Sequence, residues 1–246
     1  RRMLLDMKAQ TEATRALAYY VAAELDVAER HADADRRTKA QARVDLLTPV
    51  VKAWGSDTSI DVASTGIQIH GGMGFIEETG AAQYYRDARI TSIYEGTNGI
   101  QANDLVGRKI GRENGESIRG LIADMRTDIM SLETGEDALK HMQKRVLGAI
   151  DDLEKATDWV VDTWGHAPGS VAASAVPFLK LLALTSGGWL MARAHGLALS
   201  MDDGLFRASK LATTQFFVDH HVVETNTLAE IVIAGSPVVQ NAVFHT

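Results

Sequence analysis

The sequence predicts an all-α protein, and three observations predict it. Apolar residues recur at spacings of three, four and seven, with no sustained run of period two. Aromatic residues are only 6% of the chain and prolines number 4, while Ala and Leu are abundant; that balance suits helices and disfavours strands. Short polar segments with Gly or Asp fall where the apolar stripes stop, as helix ends require. The 246 residues suffice for one large domain or two small ones. Two helical bundles in succession are expected, residues 1–111 and 112–246, divided at the polar stretch Gly111 to Gly115.

Met3, Met7, Thr14, Leu17, Val21, Leu25 and Ala28 share one face of a first long helix. Asp33 or Asp35, in the charged stretch His31 to Arg37, caps the next. That second helix is expected from about Thr38 to Ile69, with Pro49 as a kink and Gly55-Ser56 as a point of division. Ile60, Ala63, Ile67 and His70 share one of its faces. Gly71-Gly72-Met73-Gly74 ends it. A short helix at about Thr79 to Ala88, an irregular Ile90 to Glu95, and a helix from the cap Thr97 to about Ile110 complete the first unit. In the second unit Ile118, Leu121, Ile122, Met125, Ile129 and Leu132 form one stripe, stopped by Thr134-Gly135. Leu139, Met142, Val146, Ile150, Leu153, Val160 and Trp164 form another. After the turn Gly165 to Gly169, two apolar helices are expected at about Ser170 to Leu199 and Leu205 to Ala234, separated by Met201 to Gly204. Helices joined by such short connections pack antiparallel.

Charge and composition narrow the function. The net charge of -7 is spread along the chain and attracts neither nucleic acid nor an anionic membrane. The chain has no cysteine, which removes disulfides, Cys-zinc sites and thiol catalysis and fits a cytoplasmic location. The low-charge stretch Val176 to Ala192 is interrupted by Pro177 and Lys180 and is too short and broken for a membrane span. His220 and Glu224 are four apart, the spacing of one helical face, but no third ligand is evident and no metal site is expected. The opening Arg1-Arg2-Met3 already lies inside a helical pattern, so the sequence reads as a fragment with an upstream part missing.

The chemistry concentrates between Gln68 and Gln101. Gln68-x-x-Gly71-Gly72-x-Gly74-Phe75 brings backbone N–H groups and one amide side chain together, an arrangement able to approach a phosphate. A helix C-cap explains one glycine but three are present. Tyr94-Glu95-Gly96-Thr97 sets a carboxylate on irregular backbone just before a helix N-terminus. It reads either as a general base or as a first-turn acid favoured by the helix dipole. Arg86-Asp87-Ala88 reads as a structural ion pair.

Taken together, in this order and spacing, these elements resemble the C-terminal segment of acyl-CoA dehydrogenases. The resemblance covers about residues 1 to 111 and includes the opening Arg1-Arg2-Met3-Leu4. It implies an FAD cofactor that accepts a hydride from the β carbon of an acyl-CoA substrate, a carboxylate that removes the α proton, and a trans-2-enoyl-CoA product. The base falls on Glu95, whose own backbone N–H is one donor to the enolate oxygen. Gln68, Gly71 and Gly72 fall on the glycine turn that contacts the ADP part of FAD in a neighbouring subunit, and Thr97 on a further cofactor contact. A homo-oligomer and an electron acceptor such as an electron-transfer flavoprotein are implied as partners. Two positions depart from the pattern: Gly99 stands where many members have Gln or Glu, and Gln83 where a basic residue is common. Residues 112 to 246 resemble the helical extension of a larger subgroup that includes enzymes acting on methylthio-propionyl-CoA. The competing reading is a non-catalytic helical oligomerisation module in which the motif is a relic; a DNA-associated relative is disfavoured by the acidic charge.

Overall fold

A row of small residues fixes how the first two helices meet. Ala9, Ala13, Leu17 and Val21 are buried at four-residue intervals along α1 (Arg2–Arg30), which packs lengthwise on α2 (Ala34–His70). In this computed structural model the described residues are 1–132, 135–235 and 237–243, and they contain helices and turns with no strand among them. The expected face of α1 is only partly right. Met3 and Leu25 remain 45% and 42% exposed, and Met7 and Thr14 line an open groove. Of the two capping candidates, Asp33 caps α2, its carboxylate accepting from Asp35 N at 2.9 Å and Arg36 N at 3.4 Å. Neither Pro49 nor Gly55 divides α2, which runs unbroken for 37 residues. Gly55 instead gives room for the Thr14 methyl of α1, 3.7 Å from where its Cβ would stand.

Past Gly71 the chain makes the short α3 (Gly72–Phe75), a 3₁₀ turn at Glu77–Thr79, and α4 (Ala81–Thr91), which packs on α2. Ile90 and Thr91, expected to be irregular, still belong to α4, so the irregular backbone is confined to residues 92–97. The following α5 (Asn98–Asp104) continues into a π-helical turn, Leu105–Gly111. There Gly107 and Gly111 lie flat against the Trp164 ring, with their would-be Cβ atoms 3.0 and 2.5 Å from it.

The second stretch comprises α6 (Glu116–Met130), α7 (Asp137–Trp164), α8 (Pro168–Ala173), α9 (Ala175–Leu199), α10 (Leu205–His220), α11 (Thr225–Ile233) and α12 (Pro237–Gln240). The stripes expected on α6 and α7 are buried from Ile118 to Ile129 and from Leu139 to Val160; Thr134, assigned to the break between them, lies outside the described residues. Both expected long apolar helices are broken. Ser174 separates α8 from α9 and donates to Val232 O at 3.2 Å. A 3₁₀ turn at Val222–Glu224 separates α10 from α11. That break removes the helical register supposed to bring His220 and Glu224 onto one face. His220 stacks on Phe216 at 4.2 Å, and Glu224 accepts from Lys180 at 2.7 Å.

The core helix is α9. Leu181 to Ala192 is buried without a break, and Gly187 sits where a Cβ would meet Trp54 at 2.8 Å and Phe217 at 2.9 Å. By length and composition α9 is able to cross a membrane, but 83% of its apolar window is buried within the chain. One continuous apolar cluster draws on residues before and after the Gly111 turn. Polar pairs reinforce that junction along α1 and α2. His221 meets Asp6 at 2.7 Å, Lys210 pairs with Glu12, and the buried Arg43 donates to Asp124 at 2.8 Å. Tyr20 packs edge-on against Trp189 at 5.0 Å, whose indole N–H donates to Asp128 at 2.8 Å. Burial alone would raise the Glu12 carboxyl, but Lys210 and Lys8 more than offset it and hold Glu12 below the usual carboxylate range.

Candidate functional site

The loop between α4 and α5 begins as a tight turn, with Ile93 N and Tyr94 N both donating to Ile90 O at 2.9 and 3.1 Å. It then turns left-handed for two residues: Glu95 has φ 57° and Gly96 φ 82°. Glycine adopts this conformation freely; for Glu95 it costs about 1–2 kcal/mol. A strained non-glycine residue of this kind persists only where its surroundings impose it. Thr97 caps α5 as expected, its hydroxyl accepting from Ile100 N at 3.3 Å. Gln101 Nε2 reaches back to Glu95 O at 3.3 Å. Glu95 N–H makes no hydrogen bond among the described residues.

One face of α2 supports this loop. Lys52, Ala53, Ser56 and Asp57 stand at one- and four-residue spacings, so their polar groups converge. Lys52 Nζ donates to Gly96 O at 2.7 Å and to Asn98 Oδ1 at 2.9 Å. Asn98 Nδ2 donates to Asp57 at 2.7 Å and to Ala53 O at 3.2 Å, with Ser56 Oγ 2.9 Å away. Partial loss of water around Asp57, with Asp61 one turn on, raises the Asp57 carboxyl above its ordinary pKa against the opposing Asn98 bond. None of these residues was singled out from sequence. The available signal was a Lys, Ser and Asp on one face of a helix, and an amide directly after a capping Thr.

Glu95 and Tyr94 form the rim of a pocket of about 550 Å³ whose walls include Val51, Gly55, Ser59 and Thr91. Those four wall residues also line a larger, mainly apolar groove of about 790 Å³ between α1, α2 and α4, so the two spaces adjoin. The Glu95 side chain is exposed in this chain.

The glycine turn lies farther along α2. Sixteen residues of helix separate Lys52 from Gln68, a rise of roughly 24 Å, so the turn and the Glu95 loop are separate places on the chain. Each glycine has its own explanation. Gly71 caps α2 with φ 62°, its N–H donating to Gln68 O at 3.1 Å. A Cβ on the buried Gly74 would lie 2.2 Å from Ile67 O. Gly72 has no positive φ and nothing within 4 Å of a would-be Cβ. Gln68, Gly71 and Gly72 are all exposed. The ion pair expected at Arg86-Asp87 is made instead between Arg86 and Glu77, at 2.8 Å on the surface. Gly99 likewise stands in open space, with only Thr97 Oγ1 at 3.9 Å from its would-be Cβ.

An all-helical chain with a glycine-rich turn closing one long helix and a left-handed acidic loop clamped to its middle has the layout of an acyl-CoA dehydrogenase C-terminal part. The family model for the acyl-CoA dehydrogenase C-terminal domain matches residues 1–110, and the acetyl-CoA dehydrogenase C-terminal-like model matches residues 118–241. The chain is 42% identical over 228 residues to a 3-methylmercaptopropionyl-CoA dehydrogenase of Ruegeria pomeroyi, covering 91% of this chain and 39% of that protein. It is 31% identical over 230 residues to a butyryl-CoA dehydrogenase of Syntrophomonas wolfei, covering 91% of this chain and 38% of that protein. Among solved structures it is similar to an acyl-CoA dehydrogenase complexed with FAD from Bacillus anthracis, with a TM-score of 0.75 at 21% identity over 95% of this chain and 41% of that one. The chain belongs to the acyl-CoA dehydrogenase family, in the subgroup that carries the second helical stretch. It spans 39% and 38% of the length of these two curated relatives.

Proposed function

We propose that this chain is the base-bearing part of an FAD-dependent acyl-CoA dehydrogenase that oxidises an acyl-CoA thioester to the trans-2-enoyl-CoA. Glu95 is the general base. The observation that carries this reading is its strained left-handed backbone at the rim of a pocket, with its own N–H unpaired beside the carboxylate. That pairing suits removal of a proton α to a thioester. The carboxylate takes the proton, and the adjacent N–H donates to the oxygen on which enolate charge develops. The relatives act on different acyl groups by name, so the proposal is made at the level of acyl-CoA thioesters.

The residues present fit FAD at the glycine turn. Gly71 and Gly74 are explained by backbone conformation and packing, whereas Gly72 is explained by neither and leaves its backbone open to close approach by a group from outside. Gln68, Gly71 and Gly72 would hold the ADP portion of FAD from a neighbouring subunit of a homo-oligomer, and Thr97 would contact the cofactor near the base. When bound, FAD supplies the hydride acceptor, and an electron-transfer flavoprotein is the proposed acceptor after it. Residues 1–111 form the catalytic unit in this reading, and residues 112–246 pack against it along α1, α2 and α5.

The test is Glu95→Gln in the enzyme of full family length. Gln keeps the side-chain shape and the backbone N–H but does not accept the proton. FAD and acyl-CoA binding are expected to stay within about two-fold, while the rate of anaerobic flavin bleaching by substrate falls about 10²- to 10⁴-fold. Bleaching at the wild-type rate would assign the base to another residue.

A further inference from the structure

Among the described residues, the hydrogen bonds that tie the Glu95 loop to α2 all pass through two side chains, Lys52 and Asn98. Among the described residues, the side chains of residues 92–97 make no hydrogen bond to α2. Tyr94 is 53% exposed, and Glu95 and Thr97 are exposed as well. Asn98 is the centre of this arrangement. Its backbone N–H closes the loop on Ser92 O at 3.1 Å. Its amide nitrogen donates to Asp57 at 2.7 Å and Ala53 O at 3.2 Å, and its amide oxygen accepts from Lys52 at 2.9 Å. The same Lys52 ammonium donates to Gly96 O at 2.7 Å, directly after the strained residue.

An amide is the side chain this place requires. It needs an acceptor toward Lys52 and donors toward Asp57 and Ala53 O from one planar group, and only Asn or Gln supplies both. Aspartate would keep the Lys52 bond but lose the donors and set a second carboxylate against Asp57. Leucine would fill similar volume and make none of these bonds. Lys52 holds the Gly96 end of the left-handed pair Glu95-Gly96 from α2, Gln101 reaches Glu95 O from α5, and Asn98 closes the loop on Ser92 O while anchoring it to α2.

We propose that Asn98 is the positioning residue of the Glu95 loop: its side chain, clamped between Lys52 and Asp57 on α2, imposes the left-handed conformation that aims the Glu95 carboxylate and N–H. Asn98 acts through Glu95 and touches no reacting atom. The assignment of a catalytic purpose rests on Glu95 being the base; the clamp itself does not.

The test has two parts, so that these claims fail separately. Amide hydrogen exchange on the cofactor-free chain reads the clamp. In Asn98→Ala, and in Lys52→Met as a second variant, exchange in residues 93–98 rises at least 10-fold while the amides of α9 exchange as in wild type. Wild-type exchange in residues 93–98 of both variants overturns the proposal, and so does a uniform rise that includes α9, which would be general destabilisation. Steady-state and stopped-flow kinetics of the full-length enzyme read the consequence. Asn98→Ala is expected to lower kcat up to about 10²-fold, the scale of a misplaced catalytic group, with KM for acyl-CoA within two-fold. Asn98→Gln is expected to recover part of the loss. A rise in KM with kcat unchanged overturns the positioning role, because the residue would then serve binding alone. If Glu95→Gln bleaches flavin at the wild-type rate, the base assignment falls while the exchange result still decides the clamp.

Discussion

Between Ser59 and Gln101 the only buried residue is Gly74, whereas in α9 Leu181 to Ala192 is buried without interruption. Both stretches are helical for most of their length and both belong to the same fold, yet they are built on opposite terms. In α9 each side chain answers to a neighbour within the chain. Along the end of α2, α3, α4 and the Glu95 loop, apolar groups such as Phe75 at 81% and Tyr84 at 75% exposure stay largely uncovered in this chain. The motif residues all sit between Ser59 and Gln101. A segment only partly covered by internal packing leaves surface open to what it binds, and its loop is tied down by polar links such as those of Asn98.

That contrast is breakable by equal substitutions in the two regions. The largest difference is expected for truncation. Phe178→Ala in α9, a fully buried ring, should cost about 3–5 kcal/mol, while Phe75→Ala should stay within about 0.5 kcal/mol. Chemical denaturation of both variants decides it, and comparable losses would mean that the exposed stretch is packed after all. Added methyl groups give the next largest effect. Gly187→Ala forces a Cβ against Trp54 and Phe217 and should cost about 1–3 kcal/mol. Gly72→Ala meets open space and should leave Tm unchanged, yet weaken FAD retention in the full-length enzyme. Unaltered flavin content in a Gly72→Ala preparation would remove the glycine turn from the cofactor site.

The legible part of the fold follows the same division. The stripes on α6 and α7 were readable because apolar burial there repeats with helical period. The breaks at Ser174 and His221 were not, since no glycine adjoins either and the residues on both sides are compatible with a continuous helix. Met3 and Leu25 share the helical spacing of the core face yet stay exposed, because an apolar residue in register with a core stripe near either end of a helix has the same pattern as one packed beneath it. At the site, the glycines and Thr97 stand out in the sequence because they mark helix ends, and Glu95 because it lies between them in the Tyr94-Glu95-Gly96-Thr97 motif. Asn98, Lys52 and Asp57 do not, because their meeting depends on the loop folding back across 41 to 46 residues onto one face of α2.

Smaller effects sharpen the comparison further. Glu95→Gly removes the left-handed strain and should raise unfolding stability by roughly 1 kcal/mol while abolishing the proposed base. A fall in Tm for that variant would show that the Glu95 side chain contributes contacts that outweigh its backbone strain. The smallest expected effect is a stepwise response to acid. Burial holds His195 below its ordinary value of 6.5, with Nδ1 2.8 Å from Thr214 Oγ1, so the fold favours the neutral ring. A lowered folded pKa means that this contribution is intact above pH 6.5 and is lost as pH falls below it. Glu12 and Asp124 are lowered by their lysine and arginine partners despite burial, so their contributions persist down to about their ordinary values of 4.5 and 3.8 and are lost below them. Melting temperatures followed from pH 8 to about pH 2 should therefore fall in two steps, the first below pH 6.5 from His195 and the second below pH 4.5 from Glu12 and Asp124. His195→Gln should remove the first decline and spare the second.

The pairs that fasten α1 join residues very far apart in the chain. Asp6 and His221 are 215 positions apart, and Glu12 and Lys210 are 198 apart. During synthesis at about 5–20 residues per second, α1 leaves the ribosome roughly 10–40 s before those partners exist. For that interval its Ala9, Ala13 and Leu17 face has α2 to lie against but lacks α9 and α10. Within this chain, the helix made ahead of the others is thus among the last to be completed. Its waiting time is set by the pace of translation through residue 221, so slowed translation of the second stretch lengthens the exposure of the first.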